Sequence, residues 1–326
     1  MKNTKTVLVP HFMSQAGLSI LRARPDVATV VYPASIQAEA FRELLPEASG
    51  VALSATRFGR VESDASPALE VVARIGVGFD AVEIPPLTER GIPLMIAGTA
   101  NSTSVAEHAL FMMMAVAKRA LELHGRTRDG LWHDRTSPLP RELSGSTVLI
   151  IGFGRIGSRT APRCAAMGME VLVFDPNVAT ATIEGAGFQA VSDLDAALPR
   201  ADYVSIHCPR TPETLGMFDG SRIARMKPGA VLVNTARGGI VDEAALLAAL
   251  RSGHLGGAGL DVLAQEPQGA GNPLLQEPSV ISSPHVAGVT VEAMDAMGQA
   301  TARNILSVLD GAPIREHVVN QEVLVL

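Results

Sequence analysis

One stretch limits the possible fold more than any other: "TVLIIGFGRIGSRTAPRCAAMGMEVLVFD", residues 147–175. A β-branched run leads into Gly152-x-Gly154-x-x-Gly157, and a helical pattern follows. A second apolar run then ends in Asp175. Three spaced glycines alone are a weak signal, because glycine is common. With a strand before them, a helix after them and an acid closing the next strand, they form a dinucleotide-binding arrangement. Gly152 permits the tight turn, Gly154 lets a pyrophosphate approach the backbone, and Gly157 lets helix and strand pack closely. The helix N-terminus offers unpaired N–H groups and a positive dipole. Asp175 would accept hydrogen bonds from the adenosine ribose and repel a 2′-phosphate. The following "PNVATATIE" holds no Arg or Lys to receive one, so NAD is expected over NADP. The bland alternative is a glycine turn that binds nothing.

The same alternation runs through the chain. Strand-like runs at 6–10, 27–33, 50–53, 71–76 and 92–98 are separated by helical patterns. A second series falls at 147–151, 169–175, 202–208, 230–235, 257–262 and 279–283, and 290–311 is again helical. Such alternation predicts parallel sheets covered on both faces. The 326 residues suit two domains better than one core. Between the two series, 101–125 reads as one long helix. Any of residues 101–104 could cap its start, Ser104 and Glu107 fit a capping box, and Gly125 fits a stop. The polar, Gly- and Pro-broken 125–145 reads as a loop or arm.

Composition excludes several classes. The net charge of −6, with no lysine or arginine run, argues against a nucleic-acid partner. The longest apolar run, 109–117, is far short of the roughly 20 residues a membrane span needs. The N-terminal apolar run is too short for a signal peptide. The two cysteines, Cys164 and Cys208, cannot build a disulfide framework or a metal site. A cytoplasmic location and no metal are therefore expected.

Three ionisable stretches each follow a predicted strand: "VNTARGGIVDEAAL" with Arg237, "GAGLDVLAQEP" with Asp261 and Glu266, and "SSPHVAG" with His285. Ligands of open parallel sheets bind at the carboxyl ends of the strands, so the three stretches can converge there. They suit alcohol–ketone interconversion beside a carboxylate. Histidine moves the hydroxyl proton, a carboxylate orients its ring, and arginine holds the substrate carboxylate and polarises the oxygen. Taken singly, each has a structural reading as a loop histidine, a surface arginine or a turn-capping glutamate.

Together, "VLIIGFGRIG", "VLVFDP", "VNTARGGIVDEAAL", "GAGLDVLAQEP" and "SSPHVAG" resemble the D-isomer-specific 2-hydroxyacid dehydrogenases. "RIGVGFDAVEI" (74–84) and "NSTSVAEHAL" (101–110) extend the resemblance over nearly the whole chain. It implies two doubly wound domains with a cleft between them, a Rossmann cofactor domain and a flavodoxin-like substrate domain. The substrate domain would be discontinuous (1–100 and 287–326), with the NAD domain at 101–286. The resemblance makes Arg237, Glu266 and His285 catalytic. Thr103, Gly152, Gly154, Arg155, Ile156, Gly157, Asp175, Thr211, Thr235, Ala236, Asp261 and Gly288 fall at cofactor positions, with Asp261 on the nicotinamide carboxamide. Ser54, the Val77 and Gly78 amides, and Arg237 are implied to bind substrate. A homodimer through the cofactor domain and a small 2-hydroxy or 2-oxo acid substrate are also implied.

The pattern departs from the phosphoglycerate enzymes. Where those carry an arginine before the pocket serine, this chain has Leu53. Arg57 and Arg60 are nearby, either to meet a phosphate or as exposed arginines. The chain ends at Leu326, so no appended regulatory domain is expected. Other readings on the same scaffold are phosphoglycerate dehydrogenase itself, an NAD(H)-sensing corepressor-like protein, or an enzyme of another small anion such as phosphite or formate.

Overall fold

The computed structural model describes residues 4–133, 139–269 and 271–325. These form two compact units: Met1–Asn101 with Val289–Leu326, and Ser102–Gly288. Part of the expected arm, 134–138, lies outside the described residues.

The first unit is built on β1 (Lys5–Pro10), β2 (Val27–Tyr32), β3 (Ala48–Leu53), β4 (Val71–Arg74) and β5 (Leu94–Met95). They form an all-parallel sheet in the order β2-β1-β3-β4-β5. The order reverses direction between β1 and β3, as in the flavodoxin-like class. Along β1, Val7 and Val9 enter one core while Leu8 enters the core on the opposite face. The inner strands are thus covered on both sides, which is why they are continuous apolar runs, whereas the edge strand β2 leaves Val30 and Val31 exposed. The helix Val291–Leu309 packs on one face beside the helix Gln15–Arg22. Gly17 makes that approach possible, because a Cβ there would lie 2.5 Å from the Gly298 carbonyl carbon.

The second unit contains β6 (Thr147–Ile151), β7 (Glu170–Phe174), β8 (Gln189–Ala190), β9 (Tyr203–Ile206), β10 (Val231–Asn234), β11 (Gly257–Leu260) and β12 (Val280–Ser282). All pair in parallel, in the order β12-β11-β10-β9-β6-β7-β8. This is a doubly wound sheet with its switch point between β6 and β9, where dinucleotides bind in such folds. Leu149 and Ile151 point into one core, Val148 and Ile150 into the other. The edge strand β8 has two residues, too short to carry a periodicity.

The long helix expected over 101–125 is two helices, Ser102–Ala117 and Ala120–Arg128. Arg119 stands between them in the left-handed region, at φ 52°. The first helix buries nine residues and the second none, so the chain turns where its packing partner ends. Propensity yields to tertiary contact there. Gly125 is consequently inside a helix, not at its stop. The capping box also fails. Ser104 sits within the first turn, and Glu107 reaches Arg163 at 3.3 Å instead. No helix among the described residues is long and apolar enough to cross a membrane.

Candidate active site

The glycine loop follows β6 directly. Gly152 has φ +94°, a conformation that favours glycine. A Cβ there would lie 2.9 Å from the Cys208 amide nitrogen. A Cβ at Gly157 would collide with the Gly152 carbonyl, so only glycine lets the helix Gly157–Ala166 start this close to the strand. At Gly154 a Cβ would meet nothing within 4 Å, so that side of the loop is open.

Asp175, just past β7, binds the loop itself. Its Oδ2 accepts from the Phe153 N–H at 2.7 Å and its Oδ1 from the Asn177 N–H at 2.8 Å. Each carboxylate oxygen keeps a free lone pair. Thr235, just past β10, has a buried hydroxyl with no protein partner among the described residues. An orphaned buried donor of this kind calls for a ligand. The open face at Gly154, the helix N-terminus, the acid and the orphan hydroxyl together fit a dinucleotide. Of the other expected contacts, Ala236 follows Thr235, Thr211 lies in the loop after β9, and Thr103 is in the first turn of Ser102–Ala117. Arg155 and Ile156 precede the helix Gly157–Ala166, and Gly288 ends the unit.

The three charged stretches leave β10, β11 and β12, which are adjacent and parallel. Arg237, Glu266 and His285 therefore share the carboxyl edge of the sheet. His285 Nδ1 is 2.6 Å from Glu266 Oε2. Glu266 Oε1 accepts the Leu263 N–H at 2.9 Å, which fixes the carboxylate. A Cβ at Gly238 would strike the Leu263 carbonyl, so the Arg237 loop lies directly on the Glu266 loop. Arg237 Nη1 donates to the Ala236 carbonyl at 2.7 Å. Its own carbonyl is held by Asn234 Nδ2 at 2.9 Å.

His285 is one of two non-glycine residues with positive φ among those described, at 55°. Such a conformation is costly and persists only where surroundings enforce it. Asp261 does so. Its carbonyl accepts the His285 N–H at 2.8 Å, its Oδ1 the Val286 N–H at 2.8 Å, and its Oδ2 the Ala287 N–H at 2.9 Å. Ser283 Oγ adds a bond to Oδ1 at 2.6 Å. Asp261 thus clamps three consecutive amides of the histidine loop, a role that sequence reasoning missed. Glu243 is a second such residue. It accepts from Ala264 N–H at 2.5 Å and Asn272 Nδ2 at 3.2 Å and braces the Glu266 loop.

In the first unit, buried Ser54 follows β3, and Val77 and Gly78 lie in the loop after β4. Arg74 links the two loops, with Nε donating to the Gly78 carbonyl at 2.8 Å and Nη1 to the Leu53 carbonyl at 3.2 Å. The Leu53 side chain is fully buried in the core. Arg57 pairs with Glu83 and Arg60 with Glu89, each at 2.7 Å. These partners raise both guanidinium pKa values. The "HC" pair at 207–208 offers no reactive thiol. Burial pushes Cys208 up to about 11 and His207 down to about 3. No cluster of three metal-ligating side chains occurs among the described residues.

Residues 110–287 match the model of the D-isomer specific 2-hydroxyacid dehydrogenase NAD binding domain. The chain belongs to this family. NAD is the cofactor of that domain. Over 324 residues the chain is 39% identical to the D-3-phosphoglycerate dehydrogenase of Mycobacterium leprae, covering 97% of this chain and 60% of that protein. It spans little more than half the length of several phosphoglycerate dehydrogenases it matches. A glyoxylate reductase of Thermofilum pendens is 35% identical over 324 residues, which cover 98% of this chain and 95% of that one. The D-lactate dehydrogenase of Aquifex aeolicus, solved with NAD and lactic acid, superposes with a TM-score of 0.84 at 26% identity. That match covers 97% of this chain and 99% of the other.

Proposed function

We propose that the protein interconverts a small D-2-hydroxyacid and its 2-oxoacid, with His285 as acid–base, Glu266 as its orienting partner and Arg237 as the carboxylate and carbonyl anchor. The observation that carries this reading is the 2.6 Å contact between Glu266 Oε2 and His285 Nδ1. A carboxylate accepts only, so Nδ1 carries the proton that it donates, and Nε2 is left to exchange a proton with substrate. NAD, when bound, accepts or returns hydride at the substrate carbon. In the reducing direction His285 Nε2 gives its proton to the carbonyl oxygen, which becomes the hydroxyl. Arg237 offers its planar fork to the carboxylate and stabilises the oxygen as charge develops.

In the first unit, Ser54 and the Val77 and Gly78 amides are the proposed substrate contacts. The cofactor contacts are Thr103, Gly152, Gly154, Arg155, Ile156, Gly157, Asp175, Thr211, Thr235, Ala236, Asp261 and Gly288. With Leu53 in the core and Arg57 and Arg60 engaged by carboxylates, a substrate without a phosphate is favoured over phosphoglycerate. The protein is further proposed to work as a cytoplasmic homodimer through the cofactor unit.

The test is NADH oxidation with glyoxylate, hydroxypyruvate, pyruvate and longer 2-oxoacids. Turnover of at least one is expected, and none, with NADH still bound, refutes the reading in favour of a nucleotide-sensing protein. His285→Ala should lower kcat by about 10²–10⁴-fold while NADH binding, read by fluorescence quenching, stays near native.

A further inference from the structure

We infer that His108 is a positioning residue for His285, acting through Ser283 and Asp261. The inference rests on the proposed acid–base role of His285. His108 lies on the helix Ser102–Ala117, and its Nε2 is 2.9 Å from Ser283 Oγ. Ser283 Oγ is in turn 2.6 Å from Asp261 Oδ1. The proton positions follow from chemistry alone. A carboxylate oxygen cannot donate, so the single hydroxyl proton of Ser283 points to Asp261. The Ser283 oxygen is then an acceptor toward His108, and His108 Nε2 must carry the proton it donates. The chain His108 → Ser283 → Asp261 therefore has one direction.

Its end point is the loop that carries the acid–base group. The Asp261 side chain is only 1% exposed, and a buried carboxylate must be fully hydrogen-bonded. Its donors are Ser283 and the amides of Val286 and Ala287. His108 Nε2 stands 4.0 Å from Oδ1, too far for a direct bond, so its influence runs through the serine. His108 is anchored on the helix, whereas Ser283 and His285 belong to the loop after β12. The chain ties that loop to a rigid element, and the ties share the acceptor that holds residues 286 and 287. The strained φ of His285 needs such enforcement.

The test compares His108→Leu and Ser283→Ala with the conservative His108→Gln and Ser283→Thr, which keep a donor and a hydroxyl. The measurements are kcat and KM for the 2-oxoacid that the wild type reduces, NADH binding, and hydrogen exchange of the His285, Val286 and Ala287 amides. His108→Leu and Ser283→Ala should each lower kcat by roughly ten- to a hundredfold, the scale on which small misplacements act, with NADH binding and KM little changed. The three amides should exchange roughly tenfold faster, about the effect of one lost hydrogen bond. Combined, the two changes should cost no more than either alone, because they cut one chain. Ser283→Thr and His108→Gln should recover most of the wild-type values. Native kcat and native exchange in His108→Leu would overturn the inference. A wild-type protein that reduces no 2-oxoacid overturns the proposed function instead, and exchange at 285–287 then decides the loop-holding role by itself.

Discussion

At the residue scale, the site depends on how single groups are held. Glu266→Gln keeps the shape but replaces one acceptor oxygen with an NH2. That group would face either His285 Nδ1–H or the Leu263 N–H, both donors. Facing the ring, it removes the acceptor that fixes the tautomer; facing Leu263, it frees the group that aims the ring from its loop. Steady-state kinetics should show kcat down by about 10²-fold or more with NADH affinity kept, and an unchanged kcat would remove Glu266 from the mechanism. His207 gives a prediction about pH. Burial pushes its pKa down to about 3 from 6.5. Between those values the unfolded chain binds a proton that the native state refuses, so stability falls as pH drops from 6.5 toward 3. His207→Leu removes this titration. In urea unfolding at pH 6.5, 5.5 and 4.5, the wild type should lose up to about 1.4 kcal/mol more per pH unit than the variant. Parallel losses would show that the imidazole is not excluded from water.

At the element scale, the packing of glycine decides the sign of a substitution. Gly17 faces Gly298 across two helices, and any Cβ forces the helices apart. Gly17→Ala should cost about 1–3 kcal/mol and lower the melting temperature, although alanine is the better helix former. Gly125, inside Ala120–Arg128, has nothing within 4 Å of a Cβ. Gly125→Ala should be neutral or gain up to about 1 kcal/mol. Thermal melts of the pair test whether backbone proximity, not propensity, sets the outcome. The same contrast explains what the sequence made legible. Among the described residues, eleven of the twelve strands announce themselves as apolar runs, because strands packed into a covered sheet need them. The glycine loop and the three charged stretches are legible through their fixed offsets from those strands. The break at Arg119 is not, because "AVAKRALEL" consists, apart from Val116, of good helix formers and the turn is set by where packing ends. Asp261 was legible as a site residue but not as a clamp, since its partners lie 22 to 26 residues away and three of them are backbone amides.

At the scale of the molecule, the proposed cofactor contacts come together only in the folded second unit. The Gly152–Gly157 loop, Asp175 and Thr235 leave three different strands, and the unfolded chain cannot bring them together. NADH must therefore stabilise the native state by mass action, by about 2.7 kcal/mol at a hundredfold excess over its Kd. Hydrogen exchange followed by mass spectrometry should show protection concentrated in peptides of Ser102–Gly288, strongest around 152–158 and 235–236. As a proposed cofactor contact, Asp175 would make the effect selective. Its carboxylate is held by the Phe153 and Asn177 amides and cannot swing away from a 2′-phosphate. NADPH at equal concentration should protect less, and Asp175→Ala should narrow the gap, chiefly by weakening NADH. That variant also frees the Phe153 amide, so glycine-loop exchange without cofactor should rise by roughly tenfold. Equal protection by the two nucleotides in the wild type would mean that Asp175 does not read the ribose, and that its hold on the glycine loop is its whole role.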